Sequence, residues 1–338
     1  MTSTRAQPRS LFAPAAFVLA VLPACAGGYD SYGEVSSAIT CDVSQCGSNA
    51  AELNSLPIGE LHLFPGQNTG EVSDWGARVV GFSAPLAAPG GPAGYTMSVV
   101  RGRLRATKGS TVLMGAALVG SRISVEDASI DPPLQADLII HDHDTQMSWT
   151  TGAYPAYPID RYVFITLDHR PVCVDAADTS ANNAWAVLLS GERYSWSDKA
   201  VIDAGPAAAG WFNIACEDNA LYEMKFQGYD PEPALLSLPH TTANERQAAL
   251  KMITADYCGT GYSFTETGTS LHWLNDALWS DNGAPPASSF EAKWGPTGAL
   301  CLDNPRLATL AEIASECDLP PPCSEYAGAF EWQTENPM

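Results

Sequence analysis

Residues 241–259, TTANERQAALKMITADYCG, break the pattern of a chain whose neighbouring segments alternate with a period of two. Thr242 is placed to cap a helix while Glu245, three residues on, returns the bond. Ala249, Met252, Ile253 and the Asp256/Tyr257 step then recur on one stripe. Gly259 is the expected stop. A helix here, among segments that read as strands, makes the fold class α+β. Cys258 then lies at a helix C-terminus, whose partial negative charge raises a thiol's pKa, the opposite of what a nucleophile needs.

Upstream, residues 55–205 read as a β-rich, antiparallel region. SVVRGRLRAT (98–107) alternates as one strand, with Val100, Gly102, Leu104 and Ala106 on one face and Arg101, Arg103 and Arg105 on the other, before a Lys108-Gly109 turn. RYVFITL (161–167) and WAVLLSG (185–191) are further strands, and the prolines and glycines of 83–94 mark a loop. Residues 206–325 read as a disulfide-braced module of short helices and strands. One helix is expected over Asp218–Gln227, stopped by Gly228. Another opens with Asn304 as cap and Pro305 as first residue, with Leu307, Leu310, Ala311 and Ala314 as its apolar stripe. Residues 326–338 remain as a C-terminal tail.

Residues 1–24 carry Arg5 and Arg9, no acid, and an apolar run from Leu11 to Leu22, the layout of an export signal. The run ends Leu22-Pro23-Ala24-Cys25, like the box in which a cysteine is lipidated. The expectation is therefore a lipoprotein anchored through Cys25 in the bacterial envelope, at the outer membrane, with residues 25–54 as a flexible acidic tether. Cleavage near Ala24 or Ala26 without lipid is the alternative and would give a secreted protein. Loss of the two leader arginines takes the net charge from -21 to -23. Such a field repels phosphate backbones and excludes nucleic acid as a partner.

Of nine cysteines, eight remain beside Cys25: Cys41, Cys46, Cys173, Cys216, Cys258, Cys301, Cys317 and Cys323. An even number in an oxidising compartment favours disulfides, and no Cys-x-x-Cys spacing suggests zinc or a redox site. Cys41 with Cys46 and Cys317 with Cys323 are the natural local pairs.

WFNIACEDNAL (211–221), GYDP (228–231), the run 246–271 with its tetrad Ala255-Asp256-Tyr257-Cys258, EAKWGPTGALCLDNPR (291–306) and PPPC (320–323) resemble, in that order, the ADYC-domain proteins of bacterial secreted lipoproteins. The resemblance covers roughly residues 160–323. It implies location and fold rather than a particular activity. Members often carry a cysteine after the short helix, where this chain has Met224 or Lys225.

The motifs that carry chemistry are incomplete. CGTGYSF (258–264) runs helix, glycines, strand, the reverse of a phosphate cradle. No Gly-x-Ser-x-Gly elbow and no His-Glu-x-x-His is present. His141 and His143 of HDHD share one face of a strand, but a catalytic zinc commonly needs three protein ligands. Asp256, His272 and Glu266 are the best acid/base candidates, provided that the chain after Gly261 folds back on the helix. Structural roles compete with each. The arginine stripe is expected to pair with carboxylates on adjacent strands, and Trp185, Trp196, Trp211, Trp273 and Trp294 to lie in the core, a sugar platform being the alternative. The expected function is a non-catalytic binding or structural role at the envelope, without cofactor, toward an envelope protein or glycan. The alternatives are an envelope hydrolase using residues near the signature, and a carbohydrate-binding surface protein.

Overall fold

The structure, a computed structural model, describes residues 47–48, 50–54, 56, 59–150, 156–173, 185–232, 241–275 and 288–337. The leader, Cys25, Cys41 and Cys46 lie outside these residues. The strands are β1 (Gly47–Ser48), β2 (Glu60–His62), β3 (Ala77–Ser83), β4 (Thr96–Val100), β5 (Arg103–Lys108), β6 (Thr111–Met114), β7 (Arg122–Asp127), β8 (Leu134–Met147) and β9 (Pro158–Ile165). After them come β10 (Trp185–Ser190), β11 (Glu192–Ser195), β12 (Ala200–Ala204), β13 (Trp211–Cys216), β14 (Ser270–Leu274), β15 (Ser288–Gly295), β16 (Gly298–Leu302) and β17 (Trp332–Pro337). Three helices join them: α1 (Ala220–Phe226), α2 (Ala243–Ile253) and α3 (Leu310–Glu316). None of the described helices is long and apolar enough to cross a membrane.

An antiparallel seven-stranded sheet, β2-β13-β10-β9-β8-β7-β3, is the centre of the body. Its strands β10 and β13 are apolar on both faces because both faces are covered. Ala186, Leu188, Phe212 and Ile214 point into one core with Met97, Leu104 and Leu113 of the sheet β4-β5-β6. Val187, Leu189 and Ala215, one residue out of phase, point into the other core, beneath α1 and α2. The far side of that helical layer is closed by the sheet β1-β14-β17-β15-β16, through Leu271, Ala292, Trp294, Leu302 and Trp332. The class is α+β, with antiparallel sheets as expected. The pairing of β10 with β13 runs across residue 206, where composition placed a change of region.

Several sequence expectations are corrected. Residues 98–107 are a hairpin rather than one strand: β4 pairs with β5 through a two-residue turn in which Arg101 and Gly102 have φ of 54° and 65°. The turn takes Arg101 off the supposed stripe, while Arg103 pairs with Asp160 at 2.8 Å. Residues 47–48 and 50–54 are body rather than tether, since β1 pairs with β14 and Ala50 and Leu53 are core residues. The supposed tail forms β17, seated between β14 and β15, with Trp332 buried. Its alternation of buried Trp332 and Thr334 gives it one face for the core. Helix α3 starts at Leu310, not at Pro305, because Thr309 and Glu312 make a capping box, whereas Asn304 donates to the Phe290 carbonyl. Leu307 and Leu310 are exposed and only Ile313 of α3 is buried, so the apolar stripe is not the packed face.

One regularity escaped the sequence reading. GAALVG (115–120) and GPAAAG (205–210) are the same device placed 90 residues apart: a strand, a left-handed glycine, a 3-10 turn, a second left-handed glycine and another strand. Gly115 and Gly205 have φ of 55° and 60°, Gly120 and Gly210 of 89° and 86°. Each turn is preceded by a hairpin, β5-β6 or β11-β12, and each buries one side chain, Leu118 or Ala208. The bodies of the two hairpins differ too much in side chains for letters alone to align them.

Candidate functional site

The signature tetrad is occupied with holding the fold. Helix α2 has the expected capping box, yet it stops at Ile253, well before Gly259. Ala255 takes a φ of 48°, its amide bonds the Met252 carbonyl at 3.2 Å, and the Asp256 amide bonds Lys251 at 2.9 Å. This is a Schellman closure with alanine where glycine is usual. The Asp256 carboxylate, fully buried, accepts from Lys251 Nζ at 2.6 Å and from the amides of Thr260 at 3.0 Å and Gly261 at 2.7 Å. Tyr257 stacks on Trp294 and donates to Glu291 Oε1 at 2.6 Å, while its oxygen accepts from the Arg306 amide at 3.0 Å. Cys258 is bridged to Cys317, which settles its role. Gly261 is needed for space: a Cβ there would lie 1.9 Å from the Ser197 carbonyl oxygen.

The bridges Cys173–Cys216 and Cys301–Cys323 complete the described set. The local pair Cys317 with Cys323 is thus corrected. Both residues flank DLPPP (318–322), and each reaches a cysteine of the body instead, so the proline segment is pinned at both ends and α3 at its C-terminus.

The acid/base trio does not come together as a site. Asp256 is shut away from solvent with three internal donors on its carboxylate, Glu266 is exposed on the loop before β14, and His272 is buried on β14 opposite Glu335. The chain after Gly261 is an irregular loop and not a hairpin folded back on α2. His141 and His143 also part company. A bulge between Ile140 and Asp142 leaves His141 exposed, whereas His143 Nε2 is 3.2 Å from Asp160 Oδ1 and packs on Tyr162. Among the described residues no group of three or more His, Cys, Asp or Glu is arranged to hold a metal.

A cleft of about 490 Å³ opens instead at the end of β10 and β13, beside the second of the two repeated turns. Met97, Val99, Phe64 and Trp211 supply apolar wall, and Ser98, Ser190, Glu232 and Arg246 are its polar side chains. Its size and mixed lining are those of a small-molecule site. Arg246 is held bidentate by Glu192, at 2.6 and 2.8 Å, with Tyr194 donating to the same carboxylate. Lys225 pairs with Asp230 beneath the cleft and donates to the Leu188 carbonyl at 2.8 Å. Burial raises the Asp230 carboxyl above its ordinary value and raises the Tyr194 phenol well above its own.

Of the tryptophans expected in the core, Trp211 and Trp294 are buried, whereas Trp185, Trp196 and Trp273 are half-buried. Trp294 and Trp332 are fully buried, and the Trp211 ring is flanked by Arg193 at 4.0 Å and His62 at 4.9 Å. Arg193 is held in turn by Glu60, Asp74 and Asp203. Burial pushes the Glu60 carboxyl above its ordinary 4.5, against the pull of Arg193. Over the window between the ordinary and folded values the native state keeps a proton that the unfolded chain releases. The stabilisation from this group is therefore complete below the window and lost as pH rises through it. Glu60→Gln removes the titration, so its melting temperature relative to the parent is expected to climb from about pH 4 to about pH 7. A constant difference over that range would refute the assignment.

Residues 115–308 match the ADYC domain family, more than half of the 338 residues. The chain belongs to the ADYC-domain family. No curated protein and no solved structure matches it. The ADYC match takes in the tetrad and Ser190, Glu232 and Arg246 of the cleft, but not Ser98. It ends before Cys317 and Cys323, each of which is bridged to a cysteine inside it, so the physical unit of this ADYC protein is longer than the matched segment. The cleft went unnoticed in the sequence because its polar members are 42 or more residues from Ser190. The glycines Gly191 and Gly210, both at positive φ, were its available signal.

Proposed function

We propose that this ADYC-domain protein is a non-catalytic binding protein of the bacterial cell envelope, carried out by its leader, held to the membrane through lipid on Cys25, and binding a small ligand in the cleft at Ser190 and Glu232. The observation that carries this reading is the division of labour among the side chains. The tetrad is consumed internally by an ion pair, hydrogen bonds and a disulfide, whereas the cleft presents apolar walls and an exposed carboxylate. A catalytic group must reach the reacting atom, and Asp256 is fully buried and does not line the cleft.

Ligand-observed NMR of a fragment library against the mature protein tests the binding half. Hits that vanish in Val99→Trp, which fills the cleft, support it. A library without hits, or hits indifferent to that substitution, would overturn it, as would hydrolase turnover lost in Glu232→Gln. For the anchor, the intact mass of protein recovered from membranes is expected to include a diacylglyceryl group at Cys25, and an unmodified mass from that fraction would refute it.

A further inference from the structure

Resting on the cleft as the binding site, we infer that its ligand is a small organic cation, an amine or guanidine carried on an apolar body. Among the described residues, all but one of the charges at the cleft are paired. Arg246 is matched by Glu192, and Lys225 beneath it by Asp230. Glu232 is the acid left over. Its Oε2 accepts from Ser190 Oγ at 2.6 Å and from the Arg101 amide at 3.3 Å, both neutral donors. Among the described residues its Oε1 accepts no hydrogen bond, and no cationic side chain pairs with it.

The carboxylate is also held in place before any ligand arrives. Ser190 is buried and its Oγ accepts from the Gly102 amide at 3.1 Å, so the hydroxyl that orients Glu232 is itself fixed. The Glu232 amide is tied to Asp230 Oδ1 at 3.1 Å. Fixed acceptors lose little on binding and favour a charged donor over water. Met97, Val99 and Phe64 beside it suit an apolar body, and the negative field of a chain with net charge -21 concentrates cations at its surface.

Isothermal titration of the intact mature protein with n-hexylammonium, n-hexanol and n-hexanoate tests this. The ammonium is expected to bind about tenfold or more tighter than the alcohol, and hexanoate weakest of the three. Glu232→Gln, whose amide oxygen can still accept from Ser190 and Arg101, should keep the parental melting temperature and bring the ammonium down to the level of the alcohol. Its affinity in the parent should also fall with added salt. Alcohol and ammonium binding equally, or an unchanged ammonium affinity in Glu232→Gln, would overturn the cation while leaving the cleft as a site. Binding of none of the three would overturn both readings.

Discussion

Asp256→Ala is expected to lower the unfolding free energy by about 3–5 kcal/mol, measured by urea denaturation with the disulfides intact. The size follows from what is left behind. Lys251 Nζ, at 3% exposure, would keep only the carbonyls of Asp198 and Gly259, so a full charge would stay buried without a counter-ion. The amides of Thr260 and Gly261 would lose their acceptor in the same stroke. Removing both charges with Lys251→Met and Asp256→Ala should recover part of the loss, because no uncompensated charge remains, and the two single effects should fail to add. A single-variant cost below about 1 kcal/mol would show that the pair is not what holds the turn. Any function lost in Asp256 variants is therefore expected to follow loss of fold, and should return under conditions that stabilise the native state.

Replacing Cys258 and Cys317 together by alanine is expected to cost about 4 kcal/mol, from the chain entropy released by opening a loop of sequence separation 59. Typical domains have about 5–15 kcal/mol in total, so the variant should melt far below the parent. The consequence is local as well as global. Cys258 sits in the turn that closes α2, and Cys317 caps α3, a short helix with one buried side chain. Without the bridge α3 has little to keep it on the body, and its amides should exchange with solvent long before those of α2. Equal protection of α3 in parent and variant would contradict this.

The parts legible from sequence were those governed by neighbours in the chain. The Thr242–Glu245 capping box, the Gly228 stop and the strands around Phe164 and Leu188 depend on residues a few positions apart. What failed depended on a partner far away or on an unusual backbone. Ala255 adopts a left-handed φ that sequence rules reserve for glycine, so the end of α2 was placed at Gly259. Arg101 does the same inside a hairpin turn, which made two strands look like one. The described disulfides bridge separations of 22 to 59 residues, and the cleft joins residues from Leu63 to Arg246. Asp256 shows the limit most clearly. Its type and position suggested an acid or base, and only the positions of Lys251 Nζ and two amides reveal it as a structural anchor.

The position of β17 sets a timetable for making the protein. It is the middle strand of its sheet, hydrogen-bonded to both β14 and β15, yet it follows each of them in the chain. While a ribosome or a translocation channel still holds residues 332–337, the two halves of that sheet have no strand to join them and Trp332 cannot enter the core. The helical layer over it stays open to water until synthesis has passed Pro337. A body that cannot close early remains threadable, as the export proposed above would need. It also leaves the unfinished protein exposed to proteases and to premature disulfide pairing.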